Sequence, residues 1–223
     1  MGKILDYLDT IRNEWTPGSI DPREGQLLYA MVRNQQPNRL IEIGRSTGYS
    51  TLWIAAAIED NGVGILVTID RVGETPDEVA ESRPEKQAQK RFAESGADRF
   101  VRSLVMGSLE AAYEEVMNEC GFHGFYDFLF LDGSHHPKAV EEDLEVWVPL
   151  MSPCGIMVVH DTIKFMEDEV ADRKRGYTEE SFNRAWPGSV IRGRIDGGKM
   201  VGFSAVTLET SHGMTVIRRE DSL

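Results

Sequence analysis

Short apolar runs recur along this chain, and each leads into a small, acidic or imidazole residue before a turn. The runs are residues 40–43, 65–69, 100–106, 128–131 and 156–159, which lead into Gly44, Asp70, Gly107, Asp132 and His160. Helical patterns follow most of them. Nearly continuous apolar strands that alternate with helices are typical of a parallel sheet buried on both faces.

The two ends of the chain have patterns of their own. Residues 201–209 and 214–218 flank a turn at 211–213, which predicts a closing antiparallel β-hairpin. We therefore expect an α/β fold with a doubly wound, mostly parallel seven-stranded sheet and helices on both faces. Apolar residues three or four apart predict an amphipathic accessory helix within residues 1–20. Asp21 and Pro22 predict an N-cap and first turn for the next helix.

No internal repeat or linker divides the rest of the chain, so residues 21–223 are interpreted as a single domain. Within it, residues 163–199 contain no clear strand and are rich in charged side chains. Long polar segments of this kind in a compact domain are often functional loops. We predict that this segment forms a lid or shapes the pocket for an acceptor molecule.

The charge of the chain disfavours some classes of binding partner, and its cysteines indicate a reducing compartment. The chain has 24 basic and 37 acidic residues, a formal net charge of −13, which disfavours nucleic acid and anionic membranes as partners. Its two cysteines, Cys120 and Cys154, fit reduced thiols better than a disulfide framework. The N-terminus lacks the apolar core of a signal peptide, and no stretch is long and apolar enough for a membrane span. We expect a cytoplasmic location.

The first strand–turn–helix unit carries the clearest ligand signal. In open parallel sheets, ligands bind beyond the carboxyl ends of the strands. Gly44 and Gly48 lie four apart, without the third glycine of a dinucleotide fingerprint. Asp70 follows Gly48 by 22 residues, where a carboxylate can accept both hydroxyls of a ribose. Taken singly, Gly44 is better explained as a turn glycine and Asp70 as a helix cap; together with the strand pattern they favour a ribose-containing ligand.

Four stretches carry a family resemblance: REGQLL at 23–28, EIGRSTGYS at 42–50, DFLFLD at 127–132 and PCG at 153–155. Over residues 21–162 the chain resembles class I S-adenosylmethionine-dependent methyltransferases, near the small O-methyltransferases of catechols and caffeoyl thioesters. Residues 132–135 and 160–162 are also similar to a bacterial group that includes cephalosporin hydroxylase-like proteins. The resemblance implies a Rossmann-like fold and S-adenosylmethionine as the cofactor.

The resemblance also implies which residues bind the cofactor. The two glycines would shape the turn, Ser50 would bind the methionine carboxylate with support from Glu42, and Asp70 would hold the ribose. Gly107 and Ser108 would lie along the adenine edge, where the family often has an acidic residue in place of this serine. The predicted cofactor set is Glu42, Gly44, Ser46, Gly48, Ser50, Asp70, Gly107, Ser108 and Asp132.

A second group of residues lies at two neighbouring strand ends. Methyl transfer requires that the acceptor oxygen is aligned with the methyl carbon and that it loses its proton. By the resemblance, Asp132, His160 and Asp161 are candidate ligands of a divalent metal. Thr162 replaces the usual asparagine ligand, and a site with two carboxylates and an imidazole suits Mn, Fe or Zn as well as Mg.

His135 and Asp132 are the candidate catalytic residues, with His135 at the position of a basic residue that removes the acceptor's proton. The alternative interpretation is that His135 and His136 cap the helix that begins at Pro137 and that His160 is a hydrogen-bonded strand-end residue.

The sequence thus predicts metal-assisted O-methylation of a small-molecule hydroxyl. Two other hypotheses stay open: a non-catalytic S-adenosylmethionine-binding scaffold or sensor, and an NAD-dependent oxidoreductase. The N-terminal helix and the closing hairpin are candidate surfaces for a homo-oligomer.

Overall fold

The computed structural model describes residues 2–12, 19–71, 73, 78, 81–119, 121–122, 124–163 and 187–220. Within these residues seven strands form one sheet in the order β3-β2-β1-β4-β5-β7-β6. The strands are β1 (Arg39–Ile43), β2 (Ile65–Asp70), β3 (Val101–Val105), β4 (Tyr126–Leu131), β5 (Met151–His160), β6 (Phe203–Leu208) and β7 (Met214–Arg219). Strands β1 to β5 pair in parallel, whereas β7 pairs antiparallel with both β5 and β6. The predicted α/β fold with its closing hairpin is confirmed.

Helices cover both faces of this sheet. They are α1 (Lys3–Thr10), α2 (Pro22–Gln35), α3 (Tyr49–Asn61), α4 (Arg83–Ser95), α5 (Ser108–Ala111), α6 (Glu114–Glu119), α7 (Pro137–Trp147) and α8 (Pro187–Asp196). Helix α2 begins with a capping box, in which Asp21 accepts the amide of Glu24 and Glu24 accepts the amide of Asp21. That box fixes the helix start that the Asp21-Pro22 pair predicts.

The core lies in two layers, one on each side of the sheet. On β4, Phe128 and Phe130 face the layer that contains helices α1 to α4, while Leu129 and Leu131 face the layer that contains α7 and α8. All four side chains are buried. Alternate residues of one strand therefore enter opposite cores, which is why the central strands read as continuous apolar runs.

The pairing register aligns the strand ends that the sequence singles out. Ile69 pairs with Ile43, Ile43 with Leu131, and Leu131 with Val159. The residue after each of these four is Asp70, Gly44, Asp132 or His160. These four positions therefore lie side by side along the carboxyl edge of the sheet.

Part of the predicted lid segment is a helix. Residues 164–186 lie outside the described residues, but α8 spans Pro187–Asp196 and packs against α7. Ile191 is buried in the core, and Arg194 is paired with Glu141 and Glu145 of α7. The helix contains two glycines and two arginines, so it shows no apolar periodicity in the sequence. Its stability comes from tertiary contacts.

No helix among the described residues has the length and apolar character to cross a membrane.

Candidate functional site

The cofactor-type turn after β1 is packed directly against the end of β4. Gly44 has φ +90°, and a Cβ at this position would lie 2.0 Å from the carbonyl oxygen of Asp132. The amide of Asp132 donates to the carbonyl of Ile43 at 2.8 Å. Only glycine allows this approach, so the predicted cofactor turn and the predicted acid site share one wall.

Asp70 faces this turn from the end of β2. Its Oδ2 accepts two backbone amides, that of Arg45 at 3.0 Å and that of Ser46 at 2.6 Å. Ser46 has a left-handed backbone with φ +46°. In the structure Asp70 thus closes the turn through one carboxylate oxygen, and a role in holding ribose remains a prediction.

Helix α4 braces the same turn from outside. The Arg45 side chain is completely buried and forms a short ion pair with Glu85 of α4. Its Nη1 also donates to the carbonyl of Thr68 at 3.2 Å. Arg91 of α4 donates to the carbonyl and hydroxyl oxygens of Thr47 at 3.0 and 2.9 Å. The arginine inside the glycine turn therefore supports the protein scaffold, a role that no local sequence signal indicates.

Glu42 lies beneath the turn, fully buried, and accepts hydrogen bonds from three hydroxyl groups. The donors are Ser50 at 2.5 Å, Thr51 at 2.6 Å and Thr68 at 2.7 Å. Burial raises the pKa of Glu42, and the three hydroxyl donors oppose that rise. The structure thus joins the predicted pair Glu42 and Ser50 directly, and it orients the first turn of α3.

Ser108, the first residue of α5 shortly after β3, belongs to a small, partly buried network with α7. Its hydroxyl donates to Asp143 at 2.5 Å and accepts the indole N–H of Trp147 at 2.8 Å. Asp143 is buried, and desolvation raises its pKa. Beside it, the amide of Gly107 donates to Glu110 at 2.9 Å. The carboxylate that the family often carries after this glycine is absent, but Asp143 brings a carboxyl group to Ser108 from another element.

The predicted catalytic and metal-binding residues do come together. His135 Nδ1 lies 3.0 Å from Asp161 Oδ2, and its Nε2 lies 3.8 Å from Asp132 Oδ1. Asp132 and then Asp161 raise the pKa of His135 above its ordinary value, against the opposing effect of burial. His136 is the N-cap residue of α7, but its side chain makes no cap hydrogen bond.

His160 is enclosed by carboxylates on both sides of its ring. Nδ1 lies 3.0 Å from Asp132 Oδ1 and 3.4 Å from Asp161 Oδ1, and Nε2 lies 3.1 Å from Glu24 Oε2. Burial disfavours its charged form, but hydrogen bonds to Asp132, Asp161 and Glu24 raise the pKa of His160 to about 12. Burial likewise disfavours ionised Glu24, but His160 and the Asp21 amide lower the pKa of Glu24 to about 2.

Sequence reasoning assigned no role to Glu24, although the Asp-x-x-Glu spacing of the capping box places this residue in the first turn of α2. Its partnership with His160, 136 residues away, has no local signal.

The donor set at this edge fits a divalent cation. Candidate ligand atoms of Asp132, His135 and Asp161 all lie within 4.8 Å of one another, and each side chain is at least partly accessible. Two carboxylates and an imidazole are ordinary ligands of Mn, Fe or Zn, and the carboxylates also suit Mg. His160 faces the same two aspartates through Nδ1, so the predicted set of Asp132, His160 and Asp161 is also contiguous.

Fold and site together define a class of protein: a Rossmann-like domain with a short glycine turn, an acidic residue at the end of β2 and an acid pair after β4 and β5. This is the arrangement of the class I methyltransferase domain. The chain belongs to this family, since residues 41–162 match the family model described as a methyltransferase domain. The resemblance inferred from the sequence is confirmed.

Relatives and solved structures agree with this assignment. A candidate O-methyltransferase of Mycobacterium sp. (strain JLS) is 28% identical over 64% of this chain and 57% of its own length. The human transmembrane O-methyltransferase is 28% identical over 74% of this chain and 52% of its own length. The matches thus span little more than half of these relatives.

The crystal structure of the O-methyltransferase TomG from Streptomyces achromogenes, in complex with SAM, has a TM-score of 0.67 at 22% identity, covering 97% of this chain and 89% of that one. The O-methyltransferase of Bacillus cereus, in complex with SAH, has a TM-score of 0.67 at 18% identity, covering 97% and 90%. At such identities the likeness establishes the fold.

Proposed function

We propose that this protein is an S-adenosylmethionine-dependent O-methyltransferase that acts on a small-molecule hydroxyl with the help of a divalent cation. The observation that carries the proposal is the contact between Gly44 and the backbone of Asp132. It sets the glycine turn, where the family binds its methyl donor, against an acid pair and an imidazole suited to an acceptor hydroxyl. The O-methyltransferase names of the relatives support the same reaction.

Each group has a defined part in this proposal. When bound, S-adenosylmethionine supplies the methyl group, and a divalent cation lowers the pKa of the acceptor hydroxyl. Asp132 and Asp161 would hold the cation and orient the acceptor oxygen. His135, half exposed beside them and not bound to the cation in this scheme, would take the acceptor's proton as the methyl group passes from sulfur to oxygen. In the metal-free protein Asp132 and then Asp161 raise the pKa of His135, so the neutral form that accepts a proton increases as pH rises through that raised value.

The test separates binding from transfer. Calorimetry with S-adenosylhomocysteine measures the cofactor site, and transfer of labelled methyl groups to phenolic and sugar-like acceptors, with and without a chelator, measures the chemistry. We expect His135→Asn to lower the transfer rate by roughly 100-fold or more and to leave cofactor affinity nearly unchanged. Asp127→Asn, at the opposite end of β4, serves as the control and should transfer normally.

Two results would contradict the proposal. Binding of NAD in place of S-adenosylhomocysteine, seen as thermal stabilisation, would favour the oxidoreductase alternative. Tight S-adenosylhomocysteine binding without transfer to any acceptor would favour the non-catalytic scaffold. The cytoplasmic location, a homo-oligomeric state and a lid within residues 163–199 stay predictions.

A further inference from the structure

Glu24 is a fully buried carboxylate that links three separate parts of the fold. It lies in the first turn of α2, where Oε2 accepts the amide of Asp21 at 3.0 Å. Oε1 accepts the amide of His212, in the turn between β6 and β7, at 3.1 Å. Oε2 also faces Nε2 of His160, at the end of β5, at 3.1 Å. The capping box alone would leave this side chain at the surface of a helix end, so its burial has another cause.

His160 connects Glu24 to the acid pair Asp132 and Asp161. Its side chain is 4% exposed, and the ring lies between Glu24 on one side and the two aspartates on the other. A ring held at Nε2 by a fixed carboxylate has little freedom to rotate, so Nδ1 keeps a set direction toward Asp132 and Asp161. Outer partners that orient the groups nearest the chemistry in this way are common in metal sites.

Asp161 needs such support because of its backbone. It is a non-glycine residue in the left-handed region, with φ +53°. Such conformations persist where surrounding contacts over-determine them. The next two amides donate to the hairpin turn, Thr162 to the carbonyl of Gly213 at 3.2 Å and Ile163 to that of His212 at 3.0 Å. Glu24 accepts the His212 amide of the same turn and also contacts His160. It therefore supports the backbone on both sides of Asp161.

We propose that Glu24 is a positioning residue for methyl transfer: through His160 it fixes the directions of the Asp132 and Asp161 carboxylates. This inference rests on the proposed function and adds a residue outside the strand ends to its machinery. Glu24 touches neither acceptor nor cofactor in this scheme. It determines how the acid pair is presented to them.

A competing role for the same residue is direct metal ligation. Candidate ligand atoms of Glu24, His160 and His212 lie within 4.8 Å of one another. The geometry favours positioning, because the Oε2 that would bind a metal already accepts the Asp21 amide and faces the His160 ring. Metal stoichiometry distinguishes the two roles: positioning leaves the number of bound Mn²⁺ ions unchanged when Glu24 is replaced.

The experiment compares Glu24→Gln and Glu24→Ala with Asp127→Asn. Glutamine keeps the size and one acceptor oxygen, so this variant should fold even if the alanine variant does not. Asp127 is the matched control, because it is also an ion-paired carboxylate, 2.8 Å from Arg39, at the far end of β4. We expect kcat to fall about tenfold for Glu24→Gln and roughly 100-fold for Glu24→Ala. The Kd for S-adenosylhomocysteine should stay within about twofold in both, since orientation of the acid pair affects the chemistry.

Nitrogen-15 NMR of the imidazole rings gives a readout that does not depend on turnover. In the metal-free unmodified protein, His160 should show a hydrogen-bonded Nε2–H group, since Nε2 faces Glu24. Glu24→Gln should shift the Nε2 signal and perturb Nδ1, whereas Asp127→Asn should change neither. A purely structural role would lower stability without altering kcat in the folded, cofactor-binding fraction.

The outcomes separate this inference from the proposed function. If the unmodified protein binds no S-adenosylhomocysteine, the proposed function fails, whatever the variants do. If it binds and transfers, but Glu24→Gln matches Asp127→Asn in kcat and in the His160 signals, the positioning role is overturned. Loss of one Mn²⁺ equivalent in Glu24→Gln at saturating Mn²⁺ would overturn it in favour of metal ligation, because a misoriented acid pair lowers the affinity for Mn²⁺ and not the number of sites.

Discussion

Gly44→Ala is the most direct test of the shared wall between the glycine turn and the acid site. Alanine here would place Cβ 2.0 Å from the carbonyl oxygen and 2.5 Å from the carbonyl carbon of Asp132. Both atoms belong to backbone that is hydrogen-bonded to Ile43. The neighbour therefore cannot yield by rotating a side chain, and the strand end must move.

The expected cost has two contributions. A non-glycine residue in a left-handed conformation costs about 1–2 kcal/mol, and forcing an extra methyl into a packed site costs roughly 1–3 kcal/mol. Their sum, about 2–5 kcal/mol, is a large part of the stability of an ordinary domain. For a chain of this length it corresponds to a drop in Tm of roughly 4–20 °C.

Gly62→Ala is the control for the backbone penalty, so the difference between the two variants measures the cost of the extra methyl group. Gly62 follows α3 with φ +71°, and a Cβ there would meet nothing within 4 Å. It carries a comparable backbone penalty and the same change in unfolded-state entropy, without the clash. Urea unfolding of the two variants should give a difference of about 1–3 kcal/mol, and only Gly44→Ala should weaken S-adenosylhomocysteine binding. Equal losses of stability would refute the inference that the turn and the end of β4 are in contact.

Three further substitutions test polar contacts that are partly or fully buried, each by urea unfolding. Ser108→Ala leaves buried Asp143 without its hydroxyl donor and should cost about 1–3 kcal/mol. Glu85→Gln leaves the buried guanidinium of Arg45 without a counter-charge and should cost roughly 3–5 kcal/mol, and replacing both residues by apolar ones should recover part of this loss. Burial would raise the pKa of Asp127, but its arginine partner lowers it overall. Asp127→Asn should therefore be the less stable protein at neutral pH, and this difference should disappear as pH falls from about 4 through the lowered pKa; a difference that persists in acid would contradict this.

The helix that includes Ile191 shows the limit of local reasoning about the fold. The succession of strands along the chain could be predicted, because each central strand is an apolar run bounded by a turn residue. The span Pro187–Asp196 carries no comparable pattern, and its helix is stabilised by burial of Ile191 and by the ion pairs of Arg194 with α7. Such contacts join segments about 50 residues apart, so no window along the chain contains them.

The candidate site divides in the same way. Gly44, Asp70, Asp132 and Asp161 could be selected from the sequence, because parallel strands bring their carboxyl ends to one edge. Arg45 could not be recognised as a buried brace, since its partner Glu85 lies on a later helix. Glu24 could be placed in a helix start but not beside His160.

By itself, therefore, the sequence determined the order of strands and helices and which polar residues stand at the strand ends, because both follow from apolar periodicity and turn chemistry within a few residues. Only the tertiary structure decided which of those residues touch, and which buried partners orient them. Those contacts are made by groups as far as 188 residues apart along the chain, where burial and hydrogen bonding act through space.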